Sequence, residues 1–302
     1  MRDFLLPYHA SKELTPYPAE AYFPFAFILT YFYTFFEYKY AQFLYLISAA
    51  IIFFYFNYRF ILKDQFSSER FNSFLVISLL SYPFLFCIDR GNLEIFCLLF
   101  SVLFYINFNQ KKYSAASFFL ALATLIKPYI LLFYFMFLFK KQYSHFFKTI
   151  LLTVILFFVF MSFFKGGVTY NLHMLEEKLS LAINFENIQS YTWYSSSFSE
   201  LIKLFLNYTA ICKSLCFGIT ENSLFMALSK GFSFLLIIIS ILICFKTKYN
   251  EPKFLLILTI LLIATTPVAY DYKLIMLYLP LYAFLRPVDD LNLKESKIVF
   301  IL

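Results

Sequence analysis

The sequence predicts an all-α, polytopic membrane protein, and three observations predict it. Hydrophobic residues make up 62% of the 302 and charged residues 14%, against about 45–50% and 25% in soluble domains. Mean hydropathy is +0.73. Apolar runs recur from the N-terminal region to the C-terminal one, with only five glycines in the whole chain. A soluble core could not absorb that much apolar surface, whereas in lipid a helix satisfies its own backbone. The net charge of +7 sits mostly in the segments between runs, so it is no nucleic-acid signal.

The runs fall at roughly 23–37, 40–58, 72–88, 93–108, 114–126, 128–139, 146–164, 223–245, 254–269 and 274–286, or about nine to ten hydrophobic helices in one integral membrane domain over 1–302. Two stretches stand outside them. Residues 1–22 are polar and broken by Pro7, Pro16 and Pro18, with no apolar core of the signal-peptide kind. Residues 165–222 form a long extramembrane loop, in which Ser199, Glu200, Lys203 and Asn207 share a face opposite Leu201, Leu204, Phe205 and Leu206. That spacing predicts a helix lying in the membrane interface. The 23–37 run is about 22 Å long as a helix, short of a ~30 Å hydrocarbon core. It reads as a re-entrant or juxtamembrane helix starting near Pro24, which keeps Asp3 on the outer side. Cys87, Cys97 and Cys244 lie in or beside apolar runs, and Cys212 and Cys216 lie in the long loop; no zinc-like spacing links them.

Loop cations give the orientation. Arg59, Lys63 and Arg70 fall in one loop, and Lys111 and Lys112 in the next. Lys140, Lys141 and Lys148 share a third, Lys246, Lys248 and Lys253 a fourth, and Arg286, Lys294 and Lys297 the tail. If these five are cytoplasmic, alternation sets Arg90, Lys127, the 165–222 loop and Lys273 together on the opposite side.

Those three cations interrupt the apolar pattern where an ionisable group costs about 2.5–3.5 kcal/mol at the bilayer centre. In Asp89-Arg90-Gly91-Asn92-Leu93-Glu94, the guanidinium offers a planar fork suited to phosphate, and Asn92 suits the cap of the next helix. The bland reading is an interfacial turn in which Asp89 pairs with Arg90. Lys127-Pro128 ends a nearly charge-free run; snorkelling alone would account for it. Lys273 closes Tyr270-Asp271-Tyr272-Lys273, whose tyrosines also fit an aromatic belt. His173 and Glu176 lack a third metal ligand, and Trp193 suits interface anchoring as well as sugar stacking. No Gly-rich phosphate loop and no Asp-x-Asp pair is present, so neither a metal nor a cofactor is implied.

Asp89-Arg90-Gly91-Asn92, Lys127-Pro128 after the small-residue stretch Ser114-Ala115-Ala116 to Ala121-Leu122-Ala123, and Tyr270-Asp271-Tyr272-Lys273 together resemble glycosyltransferase family 87. These are GT-C-class membrane transferases, a DUF2029 type related to polyprenol-phosphate-mannose-dependent mannosyltransferases. Arg2-Asp3-Phe4, Tyr8, Ala10, Pro16-Tyr17 and Tyr22-Phe23-Pro24 look like the first outer loop of that family, where its catalytic aspartate resides. The resemblance implies Asp3 as catalytic base. It implies Arg90, Lys127 and Lys273 as ligands of a polyprenyl-phosphate sugar donor, supported by Asp89, Asn92, Glu94, Tyr270, Asp271 and Tyr272. A glycan or glycolipid would be the acceptor and membrane lipids the surroundings; the bias toward phenylalanine, tyrosine and lysine points separately to an AT-rich bacterial genome and hence to an inner membrane. Three departures stand out. The family has a transmembrane helix before that loop, and this chain starts inside it; its second proline is Phe25; and Lys273 stands where arginine is common. A lipid-linked-sugar flippase and a truncated, non-catalytic homologue are the alternatives.

The charge pattern makes one topological prediction. Cysteines placed singly at positions 90 and 127 should react with an impermeant maleimide from the same side of sealed vesicles, and cysteines at 111 and 140 from the other.

Overall fold

In the computed structural model every described element is helical, and prolines and turn residues decide where the helices begin and end. The structure describes residues 2–15, 22–58, 75–188, 251–265 and 271–285, with several positions between 231 and 242. The helices are α1 (Arg2–Glu13), α2 (Pro24–Tyr31), α3 (Tyr38–Asn57), α4 (Tyr82–Arg90), α5 (Glu94–Asn109), α6 (Tyr113–Thr124), α7 (Phe135–Phe139), α8 (Tyr143–Ser162), α9 (Gly167–Ile188), α10 (Glu251–Thr265) and α11 (Tyr278–Leu285). Among the described residues three 3₁₀ turns, Phe32–Phe35, Pro128–Tyr134 and Asp271–Leu277, join or extend them.

Pro24 opens α2, as its fixed φ and missing N–H allow, and the next amide, Phe25, donates to the Leu125 carbonyl at 3.1 Å. The 23–37 run is therefore short, α2 followed by one 3₁₀ turn. Lys127 adopts an extended φ of −140° and ψ of 120°, because the ring of Pro128 excludes the helical region for the residue before it. The expected break at Lys127-Pro128 is thus present.

Among the described helices four end in the same way, and only one of these does so on a glycine. Gly91 takes a left-handed φ of 67°; its N–H reaches the Ile88 carbonyl and that of Asn92 the Cys87 carbonyl, each at 3.0 Å. This is the paired closure of a Schellman turn. Leu14, Lys111 and Lys141 hold the equivalent positions at φ 57°, 59° and 56°. Their turns close by the same pattern, Thr15 to Ala10, Lys112 to Asn107 and Gln142 to Phe137. An L side chain in that region costs about 1–2 kcal/mol, so this glycine-poor chain accepts strain at three of its helix ends.

Two lengths depart from the sequence reading. The 1–22 segment, expected as a loop, holds the helix α1 despite Pro7, because Phe4 and Tyr8 are buried and Ser11 Oγ lies 2.6 Å from Thr30 Oγ1 of α2. The long segment from 165 opens with α9, 22 residues of helix; the helix expected around 199–207 lies outside the described residues, as does Trp193. Among the described helices α8 alone is long and apolar enough by itself to cross a membrane. The runs at 93–108 and 114–126 give helices of 16 and 12 residues, cut by the Lys111 turn and by Pro128. Outward apolar stripes are nonetheless broad: Phe147, Leu151, Val154 and Phe158 on α8, and Tyr40, Phe43, Ile47, Ile51 and Phe54 on α3, are exposed.

Between them, α5 and α6 form the centre. Ala116, Ser117, Ala121 and Ala123 on α6 are buried, small enough for close helix approach, and Thr149 of α8 donates to Ser117 at 2.8 Å. Their order separates the charges by end. The turns holding Lys111 and Lys141 lie at one end of these helices, where Lys140 pairs with Glu251 at 3.3 Å. Arg90, Asn92, Glu94 and Lys127 lie at the other, and α10 runs back toward that end before Lys273.

Gly91→Ala should lower unfolding free energy by about 1 kcal/mol, and Lys141→Gly, at an exposed turn, should raise it by a similar amount. Thermal unfolding of the purified protein in detergent checks both signs.

Candidate active site

The Schellman turn after α4 does more than stop a helix. By reversing the chain at Gly91 it buries Asn92 completely. The Asn92 backbone carbonyl accepts the Tyr45 hydroxyl at 2.6 Å and the Cys87 thiol at 3.4 Å. Its side-chain Oδ1 accepts the Glu94 N–H at 3.1 Å, satisfying one of the amides left over at the start of α5. That bond orients the carboxamide, leaving Nδ2 to donate to Asp3 Oδ2 at 2.9 Å. Nδ2 also lies 3.5 Å from the Tyr22 hydroxyl.

Asp3, in the first turn of α1, receives a second donor on its other oxygen: Arg90 Nη2 lies 3.0 Å from Oδ1. The carboxylate is therefore held on both oxygens by neighbouring residues of one turn. The Arg90 side chain remains 40% exposed and that of Asp3 16%, so this pair forms the open edge of the cluster.

Glu94 forms its buried floor, with no exposed surface. The Tyr129 hydroxyl donates a hydrogen bond to Oε2. Oε1 has no hydrogen-bond donor among the described residues, and Lys127 Nζ stands 3.8 Å from it, an ion pair across a slightly longer gap. Lys127 Nζ also sits 4.3 Å from the centroid of the Tyr22 ring, and Lys273 Nζ 4.9 Å from that of Tyr129. Both ammonium groups thus rest on aromatic faces, where the ring quadrupole attracts them. The anion at the start of α5 is Glu94 itself, which complements the helix dipole from its first turn.

Of the residues singled out from sequence, Asp3, Arg90, Asn92, Glu94, Lys127 and Lys273 converge in one connected cluster. Asp89 does not join it: it is exposed and takes part in none of the ion pairs among the described residues, so Arg90 turns to Asp3 rather than to its neighbour. Asp271 and Tyr272 are described in backbone only, at the start of the 3₁₀ turn that carries Lys273, and Tyr270 lies outside the described residues. Among the described residues no three His, Cys, Asp or Glu side chains gather as metal ligands. Tyr22, Tyr45 and Tyr129 also take part, although the sequence assigns none of them a site role and marks Tyr22 only within Tyr22-Phe23-Pro24. In a chain of 25 tyrosines, only the adjacency of Tyr129 to Lys127-Pro128 and of Tyr22 to Pro24 marks any of them out.

A helical protein that gathers one carboxylate, three cations and a second, buried carboxylate at one end of its bundle has the means to handle an anionic, activated group. The family model for glycosyltransferase family 87 matches residues 21–269, and the chain belongs to that family. Arg90, Asn92, Glu94 and Lys127 lie within the matched span, whereas Asp3 and Lys273 lie beyond its two ends and reach the site through the fold. Neither the curated proteins nor the solved structures yield a match.

Asn92→Ala would strand the Glu94 amide and remove a donor from Asp3. A loss of about 1–3 kcal/mol is expected for buried polar groups left unpaired, measured as the fall in unfolding free energy against the parent protein.

Proposed function

We propose that this glycosyltransferase is a polytopic membrane enzyme that moves a sugar, mannose or a related hexose, from a polyprenyl-phosphate donor to an acceptor hydroxyl on a glycan or glycolipid at the outer face of a bacterial inner membrane. The observation that carries the reading is the meeting of Asp3 with Arg90, Lys127 and Lys273 around Asn92 and Glu94. The outward apolar stripes of α3 and α8 support a lipid surround, and the separation of Lys111, Lys140 and Lys141 from the cluster supports its extracytoplasmic position.

In this reading the acceptor hydroxyl binds beside Asp3. As the acceptor oxygen attacks the anomeric carbon, its proton passes to an Asp3 carboxylate oxygen. The bond from the anomeric carbon to the phosphate oxygen breaks from the opposite face, its electron pair leaves with the polyprenyl phosphate, and configuration inverts. Arg90, at the open edge, exchanges Asp3 for the donor phosphate, gripping it with its guanidinium fork. Lys127 and Lys273 offset the charge that grows on the leaving phosphate in a site shielded from water. Asn92 keeps Asp3 oriented once Arg90 has turned away. The Lys165 N–H donates to the Leu14 carbonyl at 2.9 Å and so ties the approach to α9 to the end of α1.

Labelled polyprenyl-phosphate sugar, incubated with the purified protein and acceptor lipids, should yield a labelled glycoside; donor that is bound or translocated without product would sink the transferase reading. Asp3→Asn keeps an acceptor for Asn92 and should lower transfer by roughly 10²–10⁴-fold, the usual worth of a general base. Arg90→Ala should weaken donor binding roughly tenfold or more, as expected for lost charge-assisted hydrogen bonds.

A further inference from the structure

A buried carboxylate beside an anion-binding site runs against simple electrostatics. Glu94 is negative, has no exposed surface and stands among the groups that would meet a phosphate. By Coulomb's law alone it should repel the donor. Burying a carboxylate is itself costly unless it is paired, and here only one of its two oxygens accepts a hydrogen bond among the described residues. A side chain that is costly to bury and opposes the substrate's charge needs another use.

Its two contacts suggest that use. Oε1 faces Lys127, whose ammonium is held between this oxygen at 3.8 Å and the Tyr22 ring at 4.3 Å. Oε2 holds the Tyr129 hydroxyl, and the face of the same ring carries the Lys273 ammonium at 4.9 Å. A phenol held at its oxygen cannot swing away, so the hydrogen bond fixes where the ring on which Lys273 rests stands. Lysine is a flexible four-carbon stem with a compact charge and, unlike arginine, brings no rigid fork of its own. Two lysines at a phosphate site therefore gain most from an outside device that fixes where their charges stand.

We propose that Glu94 is a positioning residue that aligns both lysines at once, Lys127 by direct charge pairing and Lys273 through the Tyr129 ring. It touches neither sugar nor acceptor. The gain is preorganisation: the two ammonium groups stand ready at fixed places before the phosphate arrives, so less side-chain freedom is lost on binding. Tyr129 is the second member of the device and Tyr22 its outer wall. This inference rests on the donor-phosphate role proposed above for the two lysines.

Binding of farnesyl phosphate, a short isoprenyl phosphate, to the purified protein in detergent tests it by calorimetry, which separates the number of sites from their affinity. Glu94→Gln keeps the size and an acceptor for Tyr129 but loses the charge. If Glu94 aligns the lysines, affinity should fall about tenfold with stoichiometry unchanged, and Tyr129→Phe should weaken binding in the same way. The double variant should then be little worse than the more affected single one, since the two residues act through one device. Unchanged or tighter binding in Glu94→Gln would overturn the proposal, tighter binding being what simple removal of a repelling charge produces. A role in folding alone would instead lower the number of sites and leave affinity intact. Should Glu94→Gln not fold, Tyr129→Phe decides alone: weaker binding supports the device and unchanged binding overturns it. Wild-type protein that fails to bind the probe would refute the donor reading itself, and the positioning role with it.

Discussion

The arrangement of this protein turns on one buried asparagine. Asn92 uses its carbonyl, its amide N–H and both ends of its side chain on five different partners: Tyr45, Cys87, Glu94, Asp3 and Tyr22. Those partners belong to α3, α4, α5, α1 and the approach to α2. A single residue so completely buried and so heavily bonded fixes several elements relative to one another, because an unmet polar group there would cost more than any one of the bonds contributes. The left-handed Gly91 before it makes the geometry possible, since the turn must reverse within one residue to point Asn92 inward.

From that anchor the site divides into an open edge and a closed floor. Asp3 and Arg90 keep contact with the outside, as the role proposed for them requires. Glu94, Lys127, Tyr129 and Lys273 form a drier layer in which charge alternates with aromatic faces. The division matters for the proposed chemistry. A group that exchanges partners needs room to move, whereas groups that stabilise developing charge work best when fixed in place and shielded from water. In the proposed chemistry the paired Asp3 and Arg90 keep two opposite charges satisfied until a phosphate competes for the guanidinium.

Much of the site is legible in the order of residues alone. The polar interruptions Asp89 to Glu94, Lys127-Pro128 and Lys273 stand out because charge is expensive within an apolar pattern, and the loop cations suggest that they share a side. What the sequence does not indicate is who pairs with whom. Asp89 is the natural partner for Arg90 as its neighbour, yet adjacent residues at the end of a helix point in different directions, and the guanidinium instead reaches Asp3, 87 positions away. Tyr129 and Tyr22 are hidden for a related reason, since one tyrosine among 25 carries no mark until a carboxylate or an ammonium is seen against it.

The sequence by itself determined the helical class, the breaks at Pro24 and Pro128, and the candidate cations, because these follow from local rules: backbone restriction by proline, the periodicity of apolar runs and the cost of charge in an apolar environment. The tertiary structure alone decided that residues 2–13 form a packed helix, that Lys111 and Lys141 accept left-handed turns, and that Glu94 faces Lys127 directly and Lys273 only through the Tyr129 ring. Those outcomes depend on contacts between segments far apart in the chain. Burial against a distant partner is a property of the pair, and no local stretch contains it.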